Sequence, residues 1–230
     1  MSRLPNGTLP RFGSAARVAH WTLAIPFLLL LTTGLLLYVP PAKALHVGGY
    51  RVVPLIHVLL GIAFLPALGL ALLAQPRRRA LYADLRRLFR LEPGDGAWTA
   101  FAVRSLLGAR MRQPPTGKFN AGQKANTAVS AAFTIGLIAT GLVLAVNFFS
   151  KAVFGARFVE QVYTWHDAFV VIAIPVVAGH IYLATLNPPT RASLPGMIGG
   201  RVDRAWARAH HDRWVEELQG EDGPSGRSPT

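Results

Sequence analysis

Two histidines stand in one long apolar stretch of this chain, His166 and His180 in VYTWHDAFVVIAIPVVAGHIYLATL, residues 162–186. Imidazole is a base, a proton carrier and a strong metal ligand, and in an apolar segment it needs a partner. Fourteen residues separate the two, which on an α-helix is a rise of about 21 Å and a rotation returning to within roughly 40° of the same face. The spacing predicts two imidazoles on one stripe at two depths.

The elements that must carry them are membrane helices. Of the 230 residues, 51% are apolar and 15% charged, a membrane-like composition. Four stretches reach the roughly 20 residues needed to cross a hydrocarbon core: about 18–39, 52–74, 125–149 and 162–186. Pro40-Pro41, Pro76 and Asn187-Pro188-Pro189 punctuate three of their ends. The first stretch follows a basic N-terminus and precedes Ala42-Lys43-Ala44, as a cleavable signal would. Its run exceeds the ~7 to 15 residues of a signal core, so it reads as a retained helix. The expected fold is all-α: an integral-membrane four-helix bundle forming one domain over 1–218, with a polar, disordered tail at 219–230. No internal repeat stands out.

The absence of cysteine excludes disulfides, iron–sulfur ligation, Cys-based zinc sites and thioether-linked haem. The net charge of +13 raises nucleic acid as a partner, but its placement argues against one. Arginine and lysine number twenty in the N-terminus, the 75–124 loop and the C-terminal segment, against four in the other two loops. Both termini, the 75–124 loop and the 187–218 segment are therefore expected on the cytoplasmic side. The stretch RRRALYADLRRLFRL, residues 77–91, reads either as a helix on the anionic inner leaflet or as a solvated loop.

That orientation sorts the histidines by depth: His57 with His166 near the outer face, His20 with His180 toward the inner one. Interhelical hydrogen bonds explain any one of them alone. A proton relay in a small channel or transporter would call for carboxylates, and Asp167 is the only one within the spans. A haem between imidazoles on two helices needs one histidine from each at the same depth, so two bis-histidine b haems fit better. Gly34, Gly61, Gly69, Gly136, Gly141 and Gly179 could give a macrocycle room, although each alone suits ordinary helix packing. Pro175 is expected to kink the last span between its two histidines.

Four motifs add a resemblance: RVAHWTL at 17–23, LIHVLLG at 55–61, KFNAGQK at 118–124 and GMIGGRVDRAWARAHHDRW at 196–214. With the paired histidines they resemble the cytochrome b (gamma) subunit of membrane-bound respiratory formate dehydrogenase, over nearly the whole chain to about Leu218. The His-Trp pair is shared with related hydrogenase and thiosulfate-reductase cytochromes; the loop and tail motifs are more specific.

The resemblance implies a bacterial inner-membrane subunit with two b haems, the outer on His57 and His166 and the inner on His20 and His180. It implies a quinone site for menaquinone or ubiquinone beside the inner haem, using Asn120, Gly122 and Gln123 with His180 close by. Catalytic and iron–sulfur partner subunits would dock on the outer loops around 40–53 and 148–161, higher oligomers can form, and no residue here would oxidise formate. The same architecture could serve a nickel-iron hydrogenase or another periplasmic dehydrogenase. Asn120 and Gly122 also read simply as the cap of the third span. His210 and His211 match the family's tail and read, like His46, as exposed and solvated; Asp167 reads as an interfacial acid.

Overall fold

The computed structural model describes residues 7–75, 78–150 and 153–221. In chain order the elements are β1 (Thr8–Pro10), α1 (Ser14–Leu36), α2 (Pro40–Lys43), β2 (His46–Val47), β3 (Tyr50–Arg51), α3 (Val52–Leu73), α4 (Arg78–Leu88), α5 (Asp95–Leu106), α6 (Ala121–Phe149), α7 (Ala156–Thr185), α8 (Leu194–Ile198), β4 (Arg201–Asp203), α9 (Arg204–His210) and α10 (Asp212–Glu221). Four of them, α1, α3, α6 and α7, are long and apolar enough to cross a membrane.

Helix ends depart from the apolar runs because backbone capping, not hydropathy, sets them. Thus α6 begins at Ala121 behind Asn120, and α7 begins at Ala156, taking in Arg157 and Glu160. Pro40 and Pro41 do not merely stop α1; they open α2, at the first helical positions where a missing N–H costs nothing. Helix α7 runs on through Pro175. At the C-terminus α10 continues to Glu221, three residues into the stretch expected to be disordered; residues 222–230 lie outside those described.

The chain divides into two compact units. The first, over 14–78 and 130–179, holds α1 to α3 with most of α6 and α7. Its helices close on one another through aromatic and imidazole rings. Phe27 of α1 meets Phe133 of α6 at 5.8 Å, and His57 of α3 meets His166 of α7 at 6.4 Å between centroids. Phe64, Phe133 and Ala173 are buried within this unit. Leu28, Leu59, Ile135 and Val171 are exposed, as side chains facing lipid must be. The β2–β3 hairpin turns on Gly48-Gly49, both with positive φ, the two-residue loop that matches strand twist.

The second unit takes in residues up to Gly13, then 79–129 and the chain from His180. Strands β1 and β4 pair antiparallel with Leu9 opposite Val202, over a core completed by Ala207, Trp214 and Val215. Arg11 is buried among the rings of Phe12, Trp206 and Trp214, 5.1–5.5 Å from their centroids. His211, expected to be solvated, is instead 2% exposed. Its Nδ1–H donates to the Gly117 carbonyl at 2.8 Å, and its Nε2 accepts from Arg11 Nη2 at 3.0 Å. Burial, and next the Arg11 charge, push its pKa down to about 3, so it is neutral at physiological pH. On α4, Asp84 is buried against Lys118, Nζ to Oδ1 2.6 Å, while Tyr82 and Leu85 on the helix, and Phe89 just beyond it, stay exposed.

Candidate functional site

His57 lies in the second turn of α3 and His166 about a third of the way along α7, both half-buried. Each is held at Nδ1 by a threonine on another helix: Thr33 Oγ1 of α1 is 2.9 Å from His57 Nδ1, and Thr140 Oγ1 of α6 is 2.7 Å from His166 Nδ1. Each hydroxyl also lies within bonding reach of its own helix, Thr33 of the Leu29 carbonyl at 2.8 Å and Thr140 of the Gly136 carbonyl at 2.7 Å. A hydroxyl has one proton. With that proton given to the carbonyl, the oxygen accepts Nδ1–H from the ring, which leaves Nε2 bare. This tautomer, assigned from the hydrogen bonds, is the one that ligation through Nε2 requires.

The ring pair fits a single iron. Its centroids are 6.4 Å apart and its planes cross at 84°. Two metal–imidazole bonds of about 2 Å, plus a little over 1 Å from each nitrogen to its ring centre, span roughly 6 Å. The glycines after the threonines lie against the rings: a Cβ on Gly34 would crowd His57 Cε1 at 3.3 Å, and one on Gly141 would make an ordinary contact with His166 Cε1 at 3.5 Å. Among the described residues no group of three or more His, Asp or Glu side chains converges to hold a metal alone. A facing pair of imidazoles suits a metal whose remaining ligands come from a macrocycle.

His20, on α1, packs edge-on against Trp21 at 5.1 Å, and His180 lies five residues before the end of α7. Asp167 is exposed and lies near Tyr38. His46 is exposed, and His210 stacks on Trp206 at 5.1 Å. Of the six glycines offered as room, Gly34 and Gly141 face the imidazoles, and at Gly136 a Cβ would run into the Phe169 ring. Gly69 and Gly179 have open space instead.

Asn120 and Gln123 form a reciprocal cap at the start of α6. The Gln123 N–H donates to Asn120 Oδ1 at 2.8 Å, and the Asn120 N–H donates to Gln123 Oε1 at 3.0 Å. Gly122 lies under the Trp98 ring of α5, where a Cβ would come within 2.7 Å of Cη2. Lys124 is buried between Asp95 at 2.9 Å and Glu92 at 3.5 Å. The capping reading therefore holds for Asn120, while the side-chain amide nitrogens of Asn120 and Gln123 have no protein partner among the described residues. Both residues are half-buried and within reach of a ligand.

Sequence reasoning missed Thr33 and Thr140. The signal was there: TGLLL at 33–37 and TGLVL at 140–144 are the same T-G-L-x-L phrase on two helices.

Residues 11–200 match the model of the prokaryotic cytochrome b561 family. Among curated relatives, the nitrate-inducible formate dehydrogenase cytochrome b556(Fdn) subunit of Escherichia coli K12 is 28% identical over 207 residues, 88% of each chain. The formate dehydrogenase cytochrome b556 subunit of Haemophilus influenzae is 27% identical over 210 residues, 90% of this chain and 82% of that one. The formate dehydrogenase cytochrome b556(fdo) subunit of Escherichia coli K12 is 24% identical over 214 residues, 92% and 94% of the two.

Proposed function

This chain belongs to the prokaryotic cytochrome b561 family, and on that basis we propose that it is the membrane electron-transfer subunit of a formate dehydrogenase, carrying two b haems and reducing membrane quinone. The observation that carries this reading is the crossed pair of His57 and His166, each with Nδ1 engaged and Nε2 left to ligate. Haem b, when bound, supplies a one-electron couple at iron.

His57 and His166 hold the outer haem, and His20 and His180 the inner one. Helical arithmetic supports the second pair. From Thr33, the partner of His57, His20 lies thirteen residues back along α1; from His166, His180 lies fourteen residues on along α7. On ideal helices these spacings are rises of about 20 and 21 Å, and that match in the sequence supports the pairing.

The amide nitrogens of Asn120 and Gln123 donate hydrogen bonds to quinone carbonyl oxygens, and Gly122 lets Trp98 close against the loop. Reduction takes two electrons, and two protons from cytoplasmic water complete the quinol. Formate oxidation belongs to a partner catalytic subunit, with an iron–sulfur partner handing electrons to the outer loops around 40–53 and 148–161; the names of the relatives support this choice of partner. The excess of arginine and lysine supports a bacterial inner-membrane orientation with both termini inside. Exposed Tyr82, Leu85 and Phe89, flanked by arginines, support α4 lying on the anionic leaflet.

Adding formate to membranes that hold the intact complex tests the assignment. Reduction of b haem on formate addition is the expected result. Reduction by hydrogen with formate silent would transfer the chain to a hydrogenase and leave the haems in place.

A further inference from the structure

A threonine in a membrane helix commonly bonds the carbonyl one turn back, and by itself this carries no function. Here two threonines do so while each also holds Nδ1 of a histidine on another helix, and those two histidines face one another. The arrangement is duplicated in detail. Thr33 and Gly34 of α1 serve His57 of α3 just as Thr140 and Gly141 of α6 serve His166 of α7, hydroxyl to Nδ1 and glycine against Cε1.

We propose that Thr33 and Thr140 are positioning residues for the outer haem, which lock the two imidazoles that would hold it in the Nδ1–H tautomer with their planes crossed and set its reduction potential. The proposal rests on the reading that His57 and His166 ligate one iron. An imidazole that donates Nδ1–H is a more basic ligand at Nε2 and favours the oxidised metal. Each ring is also fixed about its own axis, because turning it breaks the bond to the threonine. The glycine beside each threonine lies against Cε1 of the ring that the hydroxyl orients. Ring orientation is readable: crossed axial imidazoles give a ferric low-spin haem an axial electron-paramagnetic-resonance signal with a large leading g value, and near-parallel rings give a rhombic one.

The test compares Thr33→Val and Thr140→Val with Thr33→Ser and Thr140→Ser in the purified chain. Haems are counted by pyridine haemochrome, the outer-haem potential is read by redox titration, and the ferric signal is recorded. Valine, which keeps the shape and deletes the hydroxyl, is expected to raise the outer-haem potential and move its signal toward the rhombic type, or to release that haem alone. Serine, which keeps the hydroxyl, is expected to retain the native values. Unchanged potential and signal in both valine variants would overturn the proposal, as would serine variants as altered as the valine ones, or loss of both haems in the valine variants. A His57→Ala chain that still counts two haems would instead overturn the underlying ligand assignment, which keeps the two failures distinct.

Discussion

The rings of His57 and His166, from residues more than a hundred positions apart, lie 6.4 Å from centroid to centroid with their planes crossed at 84°. Their Nδ1 atoms are tied to α1 and α6, while the rings themselves come from α3 and α7. All four long helices therefore bear on one small geometry. Shifting any one of them along its axis would break a hydrogen bond or part the rings. The polar atoms of the pair are also what make such a bundle specific, since lipid-facing leucines do little to choose a register.

Space at the rings is the first consequence to test. Gly34→Ala would put a methyl 3.3 Å from His57 Cε1, whereas Gly69→Ala on the neighbouring helix meets nothing within 4 Å. The first change is expected to weaken or perturb one haem, at a cost of about 1–3 kcal/mol if the ring must move, and the second to be silent. Haem content and absorption maxima of the two purified variants check this.

The loop before α6 serves as a helix cap, and the quinone role adds a second use for the same residues. Asn120→Asp and Gln123→Glu separate the two. Each keeps the oxygen that accepts the capping N–H and removes the amide donor. Both variants are expected to fold and retain haem while quinone reduction falls on the order of tenfold, the worth of one hydrogen bond. Unaltered turnover in both would leave the loop a cap alone.

His211 makes the second unit sensitive to acid. Its folded pKa of about 3 lies below the ordinary value of 6.5, so the folded form resists a proton that the unfolded chain accepts. Stability is complete above about pH 6.5 and declines as the pH falls toward 3, by about 2 kcal/mol at pH 5. His211→Gln, which can still donate to the Gly117 carbonyl and accept from Arg11, is expected to flatten this slope. Fluorescence-detected unfolding at pH 7 and pH 5 measures it, with Trp206 and Trp214 beside the group.

The membrane helices were legible because a bilayer demands some twenty apolar residues, and no other rule in the sequence is as strict. The pairing of His57 with His166 followed from depth alone, since topology and rise per residue are fixed quantities. Thr33 and Thr140 were not legible from hydropathy: a hydroxyl bound to its own helix is tolerated in an apolar run and marks nothing. The one mark they carry is the T-G-L-x-L phrase at 33–37 and 140–144, which went unread. His211 was misread because its partners, Arg11 and Gly117, lie 200 and 94 residues away, and no local pattern announces such a contact. The start of α6 was misplaced by four residues for a different reason. The apolar count begins at Ala125, but the cap that begins the helix is the Asn120–Gln123 pair.

The most direct measurement is a dithionite-reduced minus oxidised spectrum with a pyridine haemochrome count, on the detergent-solubilised chain and on His57→Ala and His166→Ala. Two b haems in the native chain and one in each variant is the predicted result. A native chain that binds no haem when haem supply is adequate, or variants that keep both, would contradict the assignment of the crossed pair as the ligands of an electron-carrying haem.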